Sequence, residues 1–149
     1  MTINRNKLSI FIVFAISGFI LNACQTSVAQ SEVPEAVQKA FKAKYPGEND
    51  PDFHMDDAGF WEASFKKDGE GFRADFNPDG TWVETENDIK KSEIPEAIQA
   101  VIKAQFDDEE ITEVEHVLHH SKGEFYDVEF KKKGKNKDVE FRADGTIIN

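Results

Sequence analysis

Cysteine and basic residues are scarce in this chain, and each shortage excludes a class of protein. The 149 residues include one cysteine, so the chain has no internal disulfide to rely on. Lysine and arginine total 18 against 29 aspartate and glutamate, which gives a formal net charge of −11. A surface of this sign repels phosphate backbones, and we therefore expect no nucleic acid among the partners.

The sequence also lacks the short motifs that mark common catalytic sites. It contains no Gly-x-Ser-x-Gly elbow, no His-Glu-x-x-His zinc motif and no glycine-rich loop that could cradle a phosphate. Carboxylates are abundant, but those in the predicted strands fall on the solvent side, whereas a general acid needs a desolvated carboxyl. We predict that the protein is not an enzyme and uses no cofactor.

Residues 1–23 have the layout of a secretory signal peptide. Arg5 and Lys7 precede an apolar stretch from Leu8 to Leu21, and the segment carries no acidic residue. The stretch is too short and wrongly flanked for a stable membrane span. The sequence therefore predicts that the mature protein is exported.

The end of this segment, Leu21-Asn22-Ala23-Cys24, resembles a bacterial lipobox. The resemblance implies lipidation of Cys24, a linker over residues 24–32 and membrane attachment through the lipid anchor alone. Ordinary cleavage after Ala29 is the alternative, because Ser27-Val28-Ala29 has small residues at the two recognised positions. An outer-membrane lipoprotein that faces the periplasm is the predicted form, and a soluble periplasmic or secreted protein is the other.

Beyond residue 32 the chain repeats itself. Three segments of the first half return in the same order in the second half, with one short insertion. The pairs are Val33–Gln38 with Ile94–Gln99, Phe60–Lys67 with Phe125–Lys132, and Phe76–Thr81 with Phe141–Thr146. We predict one domain over residues 33–149, built of tandem repeats 33–86 and 94–149.

Each copy has the pattern of a helix followed by strands. Proline and glutamate suit the first helical turn, and apolar residues follow at helical spacing. Alternating residues then predict strands with one buried face, and Asn77-Pro78-Asp79-Gly80 predicts a turn that places Phe76 opposite Trp82. The predicted fold class is α+β: two tandem repeats of one helix plus about four antiparallel strands, with the helices covering one face of a curved antiparallel sheet.

Two motifs, x-Pro-Glu-Ala-(Val/Ile)-Gln at each helix start and Phe-x-x-Asp-Gly-Thr at each last hairpin, resemble those of the PepSY-like family. Members are exported proteins, many from Bacteroidetes-type bacteria, with a fold similar to that of the β-lactamase-inhibitor protein. The resemblance covers essentially all of residues 31–149. It implies helices on one side of the sheet, a polar face open to a protein partner and no general catalytic residues.

The polar sheet face is the predicted binding site for a protein or peptide of the cell envelope, including an envelope or secreted enzyme that the chain would inhibit. Phe60 and Phe125 stand at the same alternate positions as the polar residues, so we expect them on the polar face. Aromatic side chains within a polar face are typical of interface hot spots. Capping of the sheet edge or packing under loops is the alternative for both. The sequence fixes no oligomeric state. The predicted face comprises Phe60, Glu62, Arg73, Asp75, Phe125, Asp127, Glu129, Glu140 and Arg142.

Calcium binding is the alternative function. Asp75-x-Asn77-x-Asp79-Gly80 followed by Glu86 matches the spacing of an EF-hand loop. An EF-hand needs helices on both sides, whereas this loop lies between predicted strands, and Arg142 stands at a ligand position in the second copy. We therefore favour an acidic hairpin turn without a metal, and keep a calcium- or metal-responsive periplasmic protein as the alternative.

Histidines and lysines form two further clusters. His116 and His120 would lie about 13 Å apart along a strand, too far to chelate one zinc ion. We expect these histidines, with His54 and His119, to be solvated or packed. Five lysines in the last long hairpin are interpreted as a solvated loop, with docking of an acidic partner as the alternative. They are Lys131, Lys132, Lys133, Lys135 and Lys137.

Overall fold

Residues 32–149 fold into two helices and one antiparallel sheet in a computed structural model, which describes this part of the chain. The predicted signal peptide, the lipidation of Cys24 and nearly all of the linker over residues 24–32 lie outside the described residues. Neither helix between residues 32 and 149 is long and apolar enough to cross a membrane.

The sheet is a seven-stranded antiparallel meander. Its strands pair in chain order from β1 to β7, and the two helices precede β1 and β5. A single 3₁₀ turn, Lys91–Glu93, leads into the second helix. The elements are α1 (Glu35–Lys44), β1 (Asp52–Met55), β2 (Trp61–Lys67), β3 (Glu70–Phe76), β4 (Trp82–Asp88), α2 (Glu96–Gln105), β5 (Glu110–His119), β6 (Gly123–Lys132) and β7 (Lys135–Phe141).

The repeated Pro-Glu-Ala-x-Gln motif explains where both helices begin. Pro34 precedes the first helical residue, and its carbonyl accepts the first helical hydrogen bond from the Gln38 N–H at 3.1 Å. The Gln38 side chain donates back to the carbonyl of Val33 at 3.0 Å. In the second helix, Gln99 donates to the carbonyl of Ile94 at 2.7 Å. The glutamine therefore ties the residue before the proline to the first turn, which fixes the direction of entry into each helix.

Each helix covers its own apolar cluster on the same side of the sheet. Their members come from alternate strand positions, as the period of two predicts. The cluster under α1 contains Val37, Phe41, Trp61, Ala63, Phe65, Ala74 and Phe76. The cluster under α2 contains Ile94, Ile98, Phe106, Val114, Val128, Phe130, Val139 and Phe141. Between the helices, Leu118 is 43% exposed, so neither α1 nor α2 lies over the middle of the sheet.

The hairpin turn after β3 packs against the start of α1. The Asn77 N–H donates to the Thr81 carbonyl at 2.8 Å, and Phe76 pairs with Trp82, which confirms the predicted turn register. Gly80 has a φ of +86°, and a Cβ there would lie 2.6 Å from the carbonyl oxygen of Ala36. Glycine is therefore required both for the backbone conformation and for the close approach of the turn to the helix.

The two halves differ in strand number. We predicted about four strands after each helix; α1 is followed by four and α2 by three. In the second half an isolated bridge between Phe141 and Ile147 takes the place of a fourth strand.

We expect Gly80→Ala to lower the free energy of unfolding by about 2 kcal/mol or more, because strain at positive φ adds to a steric clash with α1. Gly69→Ala is the matched control: Gly69 has a φ of +90° but nothing within 4 Å of the added Cβ. Its cost should be about 1 kcal/mol. Chemical denaturation measures both, and equal costs for the two variants would contradict the packing of the turn on α1.

Candidate functional site

The side of the sheet that faces away from both helices is lined mainly by carboxylates. Residues that alternate with the core positions point to this side, because successive side chains of a strand project to opposite faces. We call this surface the carboxylate face. Its acidic members are Glu62, Asp75, Glu84, Glu86, Asp88, Glu113, Glu115, Asp127, Glu129, Asp138 and Glu140.

The strand register arranges many of these carboxylates in rows across the sheet. Directly opposed side chains of like charge destabilise a sheet, so each row is an electrostatic cost. The first row crosses β2, β3 and β4 and consists of Glu62, Asp75 and Glu84. The second row crosses β4 to β7 and consists of Asp88, Glu115, Asp127 and Glu140.

Arg73 lies between the two rows and binds carboxylates from two other strands. Its Nε donates to Glu86 on β4 at 2.7 Å, and its Nη2 forms an ion pair with Glu115 on β5. A third carboxylate, Asp88, lies 3.7 Å from the same nitrogen. The guanidinium therefore connects β3, β4 and β5 on this face and offsets part of the repulsion among the acids.

Lys122 provides a second cation at the other side of the face. Its Nζ lies 2.6 Å from Glu140 and 5.2 Å from the centroid of the Phe125 ring. Phe125 pairs with Val117 across β5 and β6, and both side chains are buried, with 3% and 2% exposure. A small apolar centre therefore lies between the rows.

Burial and crowding raise the pKa values of carboxyls in the first row. For Asp75, desolvation first and then the charges of Glu84 and Glu62 raise the pKa to about 7. Desolvation, followed by the charge of Glu86, also raises the pKa of Glu84. Asp75 is therefore partly protonated near neutral pH, first because it is desolvated and then because its neighbours are acidic.

The second row behaves in the same way. Desolvation and the charge of Glu86 raise the pKa of Glu115 to about 7, although Arg73 opposes the rise. Desolvation, with the charges of Asp138 and Glu140, raises the pKa of Asp127 to about 6. In addition, one carboxyl oxygen of Asp127 and one of Asp75 are buried with no hydrogen-bond partner among residues 32–149. The ionised form of each group is therefore poorly compensated.

The structure places the predicted aromatic pair in different settings. Phe125 belongs to the carboxylate face but is buried at its centre, so its ring is covered in the described protein rather than offered as an exposed contact. Phe60 is partly exposed in the turn between β1 and β2, where its N–H donates to an Asp56 carboxyl oxygen at 2.8 Å. The two rings are four strands apart, roughly 19 Å, and do not form one patch.

The remaining predicted residues lie on the face or at its border. Glu129 pairs with Asp138 and accepts a hydrogen bond from Asn136 at 2.7 Å. Arg142 follows β7, and its Nη1 donates to the carbonyl of Glu124 at 2.5 Å. Glu62, Arg73, Asp75, Asp127 and Glu140 belong to the rows or lie between them, as described above.

The structure disperses the residues of the predicted calcium loop. An Asp79 carboxyl oxygen accepts from the Thr81 N–H at 2.8 Å, while Glu86 binds Arg73. Asp75 lies in the first row, and the Asn77 backbone closes the turn. This arrangement does not favour calcium binding by the loop.

A separate cluster of carboxylates has oxygens close enough together to hold a cation. Oxygens of Asp88, Glu113 and Glu115 lie within 4.8 Å of one another. Arg73 already forms ion pairs with two of the three, so its guanidinium serves as the cation at this position.

The histidines are solvated or packed, as we expected. His116 lies on β5, as predicted, and contacts Glu124 at 2.7 Å, while the rings of His119 and His120 stack with centroids 4.6 Å apart. The lysine hairpin is exposed, and Lys132 forms an ion pair of 2.9 Å with Asp108. Docking of an acidic partner at this hairpin stays a prediction.

A cavity of about 700 Å³ opens where β2 and β4 end and β3 begins. Phe65, Phe72 and Arg73 are among its lining residues, together with residues of the segment after α1. None of the three carboxyls with the largest pKa shifts, Asp75, Glu115 and Asp127, lines it. The three shifted carboxyls thus lie outside the lining of the cavity, although Arg73, which lines it, forms an ion pair with Glu115.

Our prediction of the face missed several of its acids. Glu84, Asp88 and Glu115 were not included, and Glu86 was considered as a calcium ligand alone. The sequence does indicate the acids of β4, because they stand at every second position from Glu84 to Asp88 and so share one face of the strand. Their meeting with Glu115 depends on the pairing of β4 with β5, which the alternation within one strand does not specify.

The structure is that of an α+β protein: one open sheet has both helices on one side and a polar face on the other. The chain also matches the model of a known family. A family model described as "Putative beta-lactamase-inhibitor-like, PepSY-like" matches residues 19–57 and 57–149. The chain belongs to this PepSY-like family, which confirms the resemblance predicted from the sequence. No curated protein matches the chain.

Several solved structures from Bacteroides share the fold. A BLIP-like protein from Bacteroides fragilis superposes with a TM-score of 0.70 at 18% identity, over 81% of this chain and 86% of that one. A DUF2874 family protein from Bacteroides ovatus has a TM-score of 0.70 at 20% identity, over 80% and 86%. A structure from Bacteroides eggerthii described under "putative periplasmic proteins" has a TM-score of 0.68 at 24% identity, over 80% and 88%.

The raised pKa values predict that acid stabilises the domain. Asp75, Glu115 and Asp127 bind protons more tightly in the folded state than in the unfolded chain, so stability falls as the pH rises from about 4 to about 8. Asp75→Asn removes one charge without changing the shape. We expect it to raise the free energy of unfolding by about 1 kcal/mol at pH 8, since partial exposure screens much of the repulsion, and by less at pH 5.

Urea denaturation at pH 5 and pH 8 measures this effect. The control is Asp57→Asn in an exposed turn, which should change stability equally little at both pH values. A loss of stability in Asp75→Asn at pH 8 would contradict the repulsive role of the first row.

Removal of the Arg73 guanidinium should destabilise the sheet. We expect Arg73→Met to lower the free energy of unfolding by about 2 kcal/mol at pH 8, because Glu86 and Glu115 lose a shared cation while partly buried. The loss should shrink at pH 5, where Glu115 is protonated.

Lys39→Met is the matched control, because Lys39 pairs with Glu35 in full exposure to solvent. Its change should stay within about 0.5 kcal/mol in the same denaturation experiment. An Arg73→Met variant as stable as this control at pH 8 would refute the role of the guanidinium.

Proposed function

We propose that this chain is a non-enzymatic binding protein that holds another protein or peptide on its carboxylate face. The observation that carries the proposal is the one-sided cover of the sheet: both helices lie on one side, and no element between residues 32 and 149 covers the other. That uncovered side is ordered by ion pairs such as Arg73 with Glu86 and Lys122 with Glu140. A surface held in place before binding loses less entropy when a partner docks.

The uncovered side is also costly to the free protein. Rows of opposed carboxylates and two unpartnered carboxyl oxygens oppose folding. Sequences retain such features at functional sites more often than elsewhere, because function compensates for lost stability. The cost therefore supports a role for this face in binding.

Inhibition of an enzyme is the form of binding that we propose. The support is an analogy at the level of fold, because the relative from Bacteroides fragilis is described as BLIP-like. The separation of the shifted carboxyls from the cavity supports a role without catalysis.

We also infer that the chain is exported and that its two halves arose by duplication. The relative from Bacteroides eggerthii is described as periplasmic, which supports export of this chain, and the lipobox-like segment ending at Cys24 supports a lipid anchor. The shared geometry of both helix starts supports an origin of residues 33–86 and 94–149 by duplication.

Charge reversal on the face tests the proposal. Asp88, Glu113 and Asp138 are exposed members of the carboxylate face, so their replacement by lysine should leave the fold intact. We expect this triple variant to capture its partner from an envelope extract at least about tenfold less well than the unaltered domain. Quantitative mass spectrometry of the captured proteins provides the measurement.

The control reverses the same number of charges away from the face, with Asp57→Lys, Glu70→Lys and Asp107→Lys at exposed positions in turns and at a strand end. It should capture the partner as the unaltered domain does. Equal capture by both triple variants would place the binding site elsewhere, and an assay of the captured enzyme with added domain then decides whether binding inhibits it.

A further inference from the structure

The cations near the two rows of the carboxylate face already have partners. Arg73 is engaged with Glu86 and Glu115, and Lys122 with Glu140. Arg142 donates to a backbone carbonyl. Within residues 32–149, no cation pairs with Asp75 or Asp127, although these two occupy central positions of the first and second rows.

Asp75 and Asp127 are also incompletely hydrogen-bonded within residues 32–149. One carboxyl oxygen of each is buried without a partner, while each residue as a whole is partly exposed. A donor that approaches from solvent can therefore reach the group, and a charged donor would be worth more than a neutral one. The missing component of this surface is a set of positively charged donors.

The spacing of the rows suits long basic side chains. Val117 and Phe125 lie between the rows but are buried, with 2% and 3% exposure, so a docked side chain meets the carboxylates and not these apolar atoms. Lys122 shows within the protein how a long basic side chain reaches such a carboxylate, with its ammonium 2.6 Å from Glu140. Lysine and arginine combine an apolar stem with a charged end in this way.

We propose that the partner docks on the carboxylate face through a basic segment, rich in lysine and arginine, whose cations pair with Asp75 and Asp127. This inference rests on the proposed function and adds the chemical class of the partner. Charge complementarity selects the occupant: the face is acidic in every strand from β2 to β7, and the chain as a whole carries a net charge of −11.

Binding of such a segment is coupled to proton release. Asp75 holds a proton for part of the time near pH 7, because desolvation and its acidic neighbours raise its pKa to about 7. A cation brought beside it favours the ionised form and expels that proton. The charged groups that face Asp75 are Glu62 on β2, Arg73 on β3, Glu84 and Glu86 on β4, and Asp56 before β2.

The second row responds in the same direction. Asp127 and its paired neighbour Glu115 have raised pKa values of about 6 and about 7, so both take part in the release. The charged groups that face them are Glu86 and Asp88 on β4, Glu113 on β5, Glu129 on β6, and Asp138 and Glu140 on β7, with Arg73 opposing. Affinity for the basic segment should consequently rise as the pH rises from 6 to 8.

Calorimetric titration of the domain over residues 32–149 with decalysine tests the inference. Titrations in two buffers of different ionisation enthalpy give the number of protons released, which we expect to be roughly one per bound peptide at pH 7. The double variant Asp75→Asn/Asp127→Asn should bind decalysine about tenfold more weakly at pH 8 and release fewer protons at pH 7.

The matched control is Asp57→Asn/Asp107→Asn, which removes two charges outside the face and should bind within about twofold of the unaltered domain. Equal weakening of both double variants would overturn the inference, since binding would then follow net charge alone. Absence of proton release from the unaltered domain would overturn it as well.

Other occupants would be recognised in the same set of experiments. If decalysine fails to bind while the lysine variant of Asp88, Glu113 and Asp138 still loses its captured partner, the binding function stands and the basic segment is refuted. Self-association in sedimentation that disappears in Lys133→Ala/Lys135→Ala would also refute it, because a second copy of this chain would then occupy the face.

Discussion

The pairing of β4 with β5 is the constraint on which the rest of the structure depends. It joins Glu84–Asp88 to Glu115–His119 and so makes one sheet of two halves that have separate apolar clusters. Neither α1 nor α2 packs over this junction, where Leu118 is exposed. Backbone hydrogen bonds and the ion pair of Arg73 with Glu115 hold the junction together.

The same pairing creates the unusual electrostatics of the face. It sets Asp88 opposite Glu115 and thereby continues a row of acids from the first half into the second. An alternating strand must send its polar residues to one side, but it need not make them all acidic. Burial and, after it, their shared sign raise the pKa values of Asp75 and Glu115 to about 7, and the Arg73 guanidinium connects the halves.

Local features of this fold could be predicted from the sequence, and long-range ones could not. The helix starts at Glu35 and Glu96 and the turn at Gly80 depend on residues within a few positions, so their motifs were sufficient. The side of the sheet on which Phe125 lies also followed from alternation. Its burial did not, because Val117 and Lys122 reach it through strand pairing and a charged side chain rather than through the pattern of β6.

The separate clusters have a mechanical consequence. The domain consists of two halves of one sheet, each packed under its own helix, which meet where β4 pairs with β5. A change in the angle between the halves would strain the hydrogen bonds between β4 and β5 and the Arg73 ion pair, while both apolar cores stay closed. These contacts therefore hold the acidic surface at one curvature, which is the form that the proposed partner would meet.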